Sequence, residues 1–169
     1  MAACTPTGQA LEQRESLRFK TEAHAILVCA FLYFGFPEAQ MNIPNDLKYT
    51  TNDEWIKIEG NVGTVGITDY AQQQLSDIVF VEVIVSVGDS VTKGDTCATI
   101  ESVKAAADVY MPVSGKIIAV NDSLPATPEA VNSDPYGAAW MVKLELSDPG
   151  ELKGLMDAAG YEKQTQEKE

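Results

Sequence analysis

The sequence predicts a mainly β protein, a sandwich or flattened barrel of two pseudo-symmetric β units with a few short helices, the last of them amphipathic. Three observations carry this. From residue 54 onward, short runs of β-branched and aromatic residues alternate with polar ones, the period of half-buried strands. A seven-residue unit recurs: Val85-Ser86-Val87-Gly88-Asp89-Ser90-Val91 matches Ile118-Ala119-Val120-Asn121-Asp122-Ser123-Leu124 in character, with Val, Asp and Ser identical. Gly-, Asn- and Asp-containing turns separate the runs.

Taken in order, Glu54-Trp55-Ile56-Lys57-Ile58-Glu59 alternates and predicts a strand, Gly60-Asn61 a turn, and Val62 to Ile67 its return. Thr68 or Asp69 caps a short helix through Leu75. Val79, Val81, Val83, Val85 and Val87 fall on every second position and predict one half-buried strand. Gly88-Asp89 and Lys93-Gly94-Asp95 mark turns, and Thr96 to Ile100 the next strand. Pro112 limits pairing at a strand end, and Gly115 predicts a bulge or tight bend. Asp148-Pro149-Gly150-Glu151 offers a cap, a proline at the first helical position and a carboxylate at the third. Leu152, Leu155, Met156 and Ala159 then form an apolar stripe, and Gly160 is placed to stop the helix. Trp55 and Trp140 read as core.

Three segments follow: an extension over 1–40, a domain over 41–160 and a polar tail over 161–169. The extension contains an apolar run, Ala25 to Phe36, too short for a typical membrane span. It lacks the positive bias and cleavage site of a secretory signal and is too acidic for a transit peptide. It is read as unnecessary for the fold, an artefact of start-site assignment. No membrane association is expected.

Composition narrows the chemistry. The 169 residues carry 12 Lys and Arg against 25 Asp and Glu, a formal charge of −13, which repels phosphate backbones and anionic lipid. Cys4, Cys29 and Cys97 are odd in number and form no CxxC pair, so neither a disulfide framework nor a structural zinc site is expected. Cys97 alternates within a strand and reads as a small buried hydrophobe. The single histidine, His24, lies in the extension, leaving the domain without a His-activated nucleophile. The chain is not expected to be an enzyme.

One residue stands out. Lys104, in Glu101-Ser102-Val103-Lys104-Ala105-Ala106, lies between two β-prone runs. A lysine at the tip of such a hairpin is exposed on a stiff scaffold, and the alanines behind it let a modifying enzyme approach the amine. Taken alone, it is more simply a solvated lysine.

The surrounding motifs resemble the H protein of the glycine cleavage system, a lipoyl carrier family. The resemblance covers nearly all of 41–160. It runs through Ile43-Pro44-Asn45-Asp46-Leu47-Lys48-Tyr49, Asp53-Glu54-Trp55-Ile56, Gly66-Ile67-Thr68-Asp69-Tyr70-Ala71-Gln72 and Asp77-Ile78-Val79-Phe80-Val81-Glu82. It continues in Glu101-Ser102-Val103-Lys104-Ala105, Pro112-Val113-Ser114-Gly115-Lys116-Ile117, Val131-Asn132-Ser133-Asp134-Pro135-Tyr136-Gly137 and Trp140-Met141. The resemblance implies the lipoyl/biotinyl-type hammerhead fold and lipoate in amide linkage on Lys104. Biotin carriers flank their lysine with methionines and 2-oxoacid dehydrogenase domains often precede it with an acid; here Val103 and Ala105 stand in those places.

It further implies a non-catalytic carrier of glycine catabolism. The aminomethyl group of glycine would pass from the decarboxylating, pyridoxal-phosphate-dependent glycine dehydrogenase to a tetrahydrofolate-dependent aminomethyltransferase. Dihydrolipoamide dehydrogenase would reoxidise the arm, and a lipoate-attaching enzyme would load it. The expected state is a cytoplasmic monomer (in the mitochondrial matrix if eukaryotic). Glu54 and Asp108 match acidic positions that contact the loaded arm, and read equally as ordinary surface carboxylates. Asp53 replaces the histidine usual before the Glu-Trp pair and adds negative charge there. Two alternatives stay open: a carrier of the same fold that relays lipoyl or octanoyl groups to other proteins, and a scaffold whose Lys104 is never modified.

Overall fold

The structure is a computed structural model, and it describes residues 41–168. The expectations for 1–40, with Cys4, Cys29 and His24, lie outside the described residues. Among the described residues, nine strands form two antiparallel sheets. The larger has six strands: β1 (Lys48–Tyr49), β2 (Glu54–Glu59), β3 (Val62–Ile67), β5 (Ser90–Val91), β8 (Gly115–Val120) and β9 (Val142–Leu146), in the order β1-β2-β3-β9-β8-β5. The smaller has β4 (Ile78–Val83), β6 (Thr96–Ser102) and β7 (Ala106–Tyr110), in the order β4-β6-β7. The chain changes sheet after β3, β4, β5 and β7. Neither sheet closes on itself, so of the two predicted forms the flattened sandwich is the one adopted.

Alternation builds the core between the sheets. Ile56, Val65, Val81, Ile100, Ile117, Leu144 and Met141 are all fully buried there. A second, aromatic cluster of Tyr49, Trp55, Tyr70 and Tyr161 lies beside it. Trp55 is core, as expected, with its indole N–H donating to the Pro135 carbonyl at 3.1 Å. Trp140 is only half-buried, and the Lys143 ammonium sits 4.8 Å from its ring centroid. Helix α1 (Asp69–Leu75) forms where predicted, capped by the Thr68 hydroxyl, which accepts from the Ala71 N–H at 3.2 Å. A short α2 (Ala130–Ser133) packs near α1.

Three local expectations are corrected. The valine run is not one strand: β4 ends at Val83 and carries a bulge between Ile78 and Phe80. The extra residue shifts the alternation. Val79, at the bulge, is 54% exposed, whereas Val81 is buried and Val83 and Val85 pack on the core; Val87 lies past the end of the strand and is 61% exposed. Gly115 is not the bulge; that lies between Ile117 and Ala119. Glycine is required at 115 because a β-carbon there would overlap the Glu145 carbonyl.

The C-terminal helix is displaced. Pro149–Gly154 forms only a 3₁₀ turn, capped by Asp148. Glu151, the predicted capping-box acid, instead accepts from the Ser114 hydroxyl at 2.9 Å. Met156 leaves helical geometry to exchange backbone hydrogen bonds with Tyr49 at 2.9 and 3.0 Å. The helix proper, α3, spans Ala158–Lys168. Asp157 starts it, accepting from the Gly160 N–H at 2.8 Å, so the expected stop residue lies inside. Residues 161–168, expected as a tail, are helical because Tyr161 and Thr165 are buried. The Tyr161 ring stacks on Tyr49 with centroids 4.6 Å apart.

Candidate functional site

The lysine hairpin comprises β6 and β7, with Ile100 and Val109 packed inward and Glu101, Ala106 and Asp108 outward. Its tip is a three-residue connection, Val103-Lys104-Ala105. Such tight links normally use left-handed residues such as glycine or asparagine, yet neither Val103 nor Lys104 has a positive φ. The Ser102 side chain supplies what the turn lacks. Its oxygen accepts from the N–H groups of Lys104 and Ala105 at 3.2 and 3.0 Å and donates to the Ala105 carbonyl at 2.9 Å. The Val103 N–H donates to the Asp77 carbonyl at 3.1 Å, tying the tip to the start of β4. The Lys104 side chain is exposed, and its ammonium donates to the Ser76 hydroxyl at 2.6 Å.

Glu54 lies at the other end of the hairpin. It is 2% exposed and is not a surface carboxylate. One oxygen accepts from the Tyr110 N–H at 3.1 Å and the other from the Thr50 hydroxyl. Burial pushes its carboxyl above the ordinary value of 4.5, against the lowering effect of those hydrogen bonds. Glu54 also lines a cleft of about 360 Å³ with Asn52, Lys93, Tyr110, Leu155 and Met156. Asp108 is exposed on the outer face of β7 and accepts from the Thr99 hydroxyl at 3.2 Å.

The three candidate residues are therefore strung along one strand, not clustered. At the rise of a β-strand, Lys104 and the Tyr110 amide that meets Glu54 are about 20 Å apart, with Asp108 between them. A rigid lysine cannot join them; only a long flexible extension of Lys104 would span that distance.

Asp53, the departure from the expected histidine, does not leave a free charge. Its carboxylate accepts from Lys168 at 2.8 Å and from the Tyr161 hydroxyl at 2.9 Å. It adopts a left-handed φ of 72°, which aspartate tolerates better than most residues. Among the described residues no group of three or more His, Cys, Asp or Glu is placed to hold a metal ion. No described helix is long and apolar enough to cross a membrane.

Comparison with known proteins decides the class. The glycine cleavage H-protein family model matches residues 47–168. The chain belongs to the glycine cleavage H-protein family. It is 55% identical over 122 residues to the glycine cleavage system H protein of Aeromonas hydrophila, covering 72% of this chain and 94% of that one. The corresponding protein of Carboxydothermus hydrogenoformans is 50% identical over 125 residues, covering 74% and 95%. Among solved structures, a glycine cleavage system H protein from Mycobacterium marinum is similar, with a TM-score of 0.67 and 37% identity over 73% of this chain and 99% of that one. As an H-protein family member the chain is a carrier and not an enzyme, and it works with the other components of glycine cleavage.

Sequence reasoning singled out Lys104 and passed over Ser76, Ser102 and Thr50, the hydroxyls that contact its ammonium, its turn and the Glu54 carboxylate. Ser102 had a legible signal, a hydroxyl immediately before a tight turn. Ser76 had none, since the left-handed position it occupies favours glycine.

Proposed function

We propose that Lys104 carries lipoate in amide linkage and that the chain ferries the aminomethyl group of glycine between the glycine cleavage enzymes. The observation that carries this reading is the presentation of Lys104: an exposed amine on a tip stapled by Ser102 and backed by Ala105 and Ala106. Nothing in the tip obstructs acylation. Bound there, lipoate supplies the dithiol that holds the one-carbon amine between active sites.

The rest is the work of this chain. A tethered carrier raises the effective concentration of its cargo at each partner site. The partners are the pyridoxal-phosphate-dependent decarboxylating component, the folate-dependent aminomethyltransferase, dihydrolipoamide dehydrogenase and a lipoate-attaching enzyme, all in the cytoplasm. Glu54 and Asp108 serve the arm in its folded-back position. Asp108 offers an exposed carboxylate along the path, and Glu54 a buried one at the cleft where a cationic amine would arrive. An incoming ammonium favours the ionised form of Glu54, which burial alone disfavours. The carrier unit starts at Met41, and residues 1–40 are dispensable for its fold.

Intact mass of the protein isolated from its native cell tests the reading. A lipoyl or octanoyl increment mapping to Lys104, lost in Lys104→Arg, is expected; an unmodified native chain would refute it. Reconstitution with the other components should give glycine-dependent turnover only from the modified form.

A further inference from the structure

Ser76 is the most strained residue near the attachment point. It closes helix α1 with φ 64° and ψ −139°, a combination that side chains with a β-carbon rarely adopt and glycine adopts readily. Only Asp53 shares a positive φ among the described non-glycine residues. The backbone of Ser76 is held on both sides. Its N–H donates to the Gln72 and Gln73 carbonyls at 2.9 and 3.3 Å. Its carbonyl accepts from the Asn132 amide at 2.8 Å. Asn132 is itself pinned, donating to the Gln72 side chain at 2.9 Å and accepting from the Ile78 N–H at 3.0 Å. No feature of this cap needs a hydroxyl. The one contact that does is the 2.6 Å hydrogen bond from the Lys104 ammonium.

We infer that Ser76 is a positioning residue for Lys104, holding its terminal nitrogen against the end of α1 both before and after acylation. The inference rests on the carrier reading above and adds a residue to it. A lysine stem has four rotatable carbons and surrenders much freedom when fixed; a partner anchored from α1 and α2 directs it without help from the hairpin. Acylation forms a new bond between the lysine nitrogen and the acyl carbon. The leaving group of the activated acyl donor departs with its electron pair, and the ammonium gives up two protons to solvent or base, one to free the attacking lone pair and one after the attack. One N–H remains on the amide, so the same serine oxygen can accept from the product. The root of the arm thus keeps one heading in both states, with Asn132 as the distant support.

The test uses the full-length chain and two variants. Ser76→Gly removes hydroxyl and strain together, and Ser76→Ala removes the hydroxyl alone. Acetylation by a small acylating reagent is followed at Lys104 relative to exposed Lys116. Loss of one hydrogen bond should raise the Lys104 ratio about fivefold in both variants, while the thermal midpoint rises only in Ser76→Gly. With a lipoate-attaching enzyme, both variants should show a comparable fall in kcat/KM, and the amide proton of the lipoylated lysine should exchange faster. Unchanged acetylation ratios and kcat/KM in Ser76→Gly would overturn the inference, whatever Ser76→Ala does. If the wild-type chain accepts no lipoyl group, the carrier reading falls, and the acetylation ratio still decides the role of Ser76.

Discussion

The carboxylate of Glu54 accepts a hydrogen bond from the backbone N–H of Tyr110 at 3.1 Å, joining β2 to the last residue of β7 across 56 positions of sequence. The Glu54 side chain is buried, and burial holds its carboxyl above the ordinary value of 4.5. The folded state therefore binds this proton more tightly than the unfolded chain does. Its contribution to stability is present below 4.5 and lost as pH rises through the folded value. Glu54→Gln keeps an acceptor for Tyr110 and removes the titration. Urea unfolding of the two proteins between pH 4 and 7 should show wild-type stability falling relative to the variant as pH rises. A constant difference across that range would count against the buried carboxyl.

Ser102 makes three hydrogen bonds at the hairpin tip. Ser102→Ala should cost only about 1 kcal/mol, because the site is exposed and water replaces the lost partners. The local effect should be larger: amide exchange at Lys104 and Ala105 should accelerate by an order of magnitude or more. Unaltered exchange there would mean that the strands, not the serine, fix the tip.

Truncation after Asp157 removes α3 and with it fully buried Tyr161. The exposed Tyr49 face and the unpaired Asp53 should cost about 3–5 kcal/mol, the range for deleting a large buried aromatic. Denaturant titration gives the number. A loss below ~1 kcal/mol would return residues 161–168 to the status of a tail.

Cys97 is fully buried beside the core, and burial, with the Glu54 carboxylate adding to it, pushes its thiol up to about 12. It should resist iodoacetamide at neutral pH in the native protein and react on unfolding, as peptide mapping of the labelled chain would show. Labelling at the rate of an exposed thiol would contradict the packing described.

The parts legible in the sequence are those governed by local chemistry. The β2–β3 hairpin, α1 with its Thr68 cap and the lysine between β6 and β7 all follow from alternation, a capping residue or a turn. The parts that were not legible depend on competition at a distance. Asp148-Pro149-Gly150-Glu151 carries a good helix start, but Ser114 takes Glu151 and Tyr49 takes Met156. Asp157 then supplies a second, less obvious start. The valine alternation holds from Val81 to Val85, but Val79 is turned out by a bulge and the strand stops at Val83, and neither leaves a mark in composition. At the site, the sequence marked Lys104, whereas the burial of Glu54 depends on a strand whose contact with it lies 56 residues later.

β7 is the outer strand of the three-stranded sheet, and its free side is where another chain could add by strand pairing. Glu54 occupies that side at Tyr110, standing in for the carbonyl of a missing neighbour. At that position the edge is closed from within the chain, and an added strand would have to displace a buried acid before it could pair there.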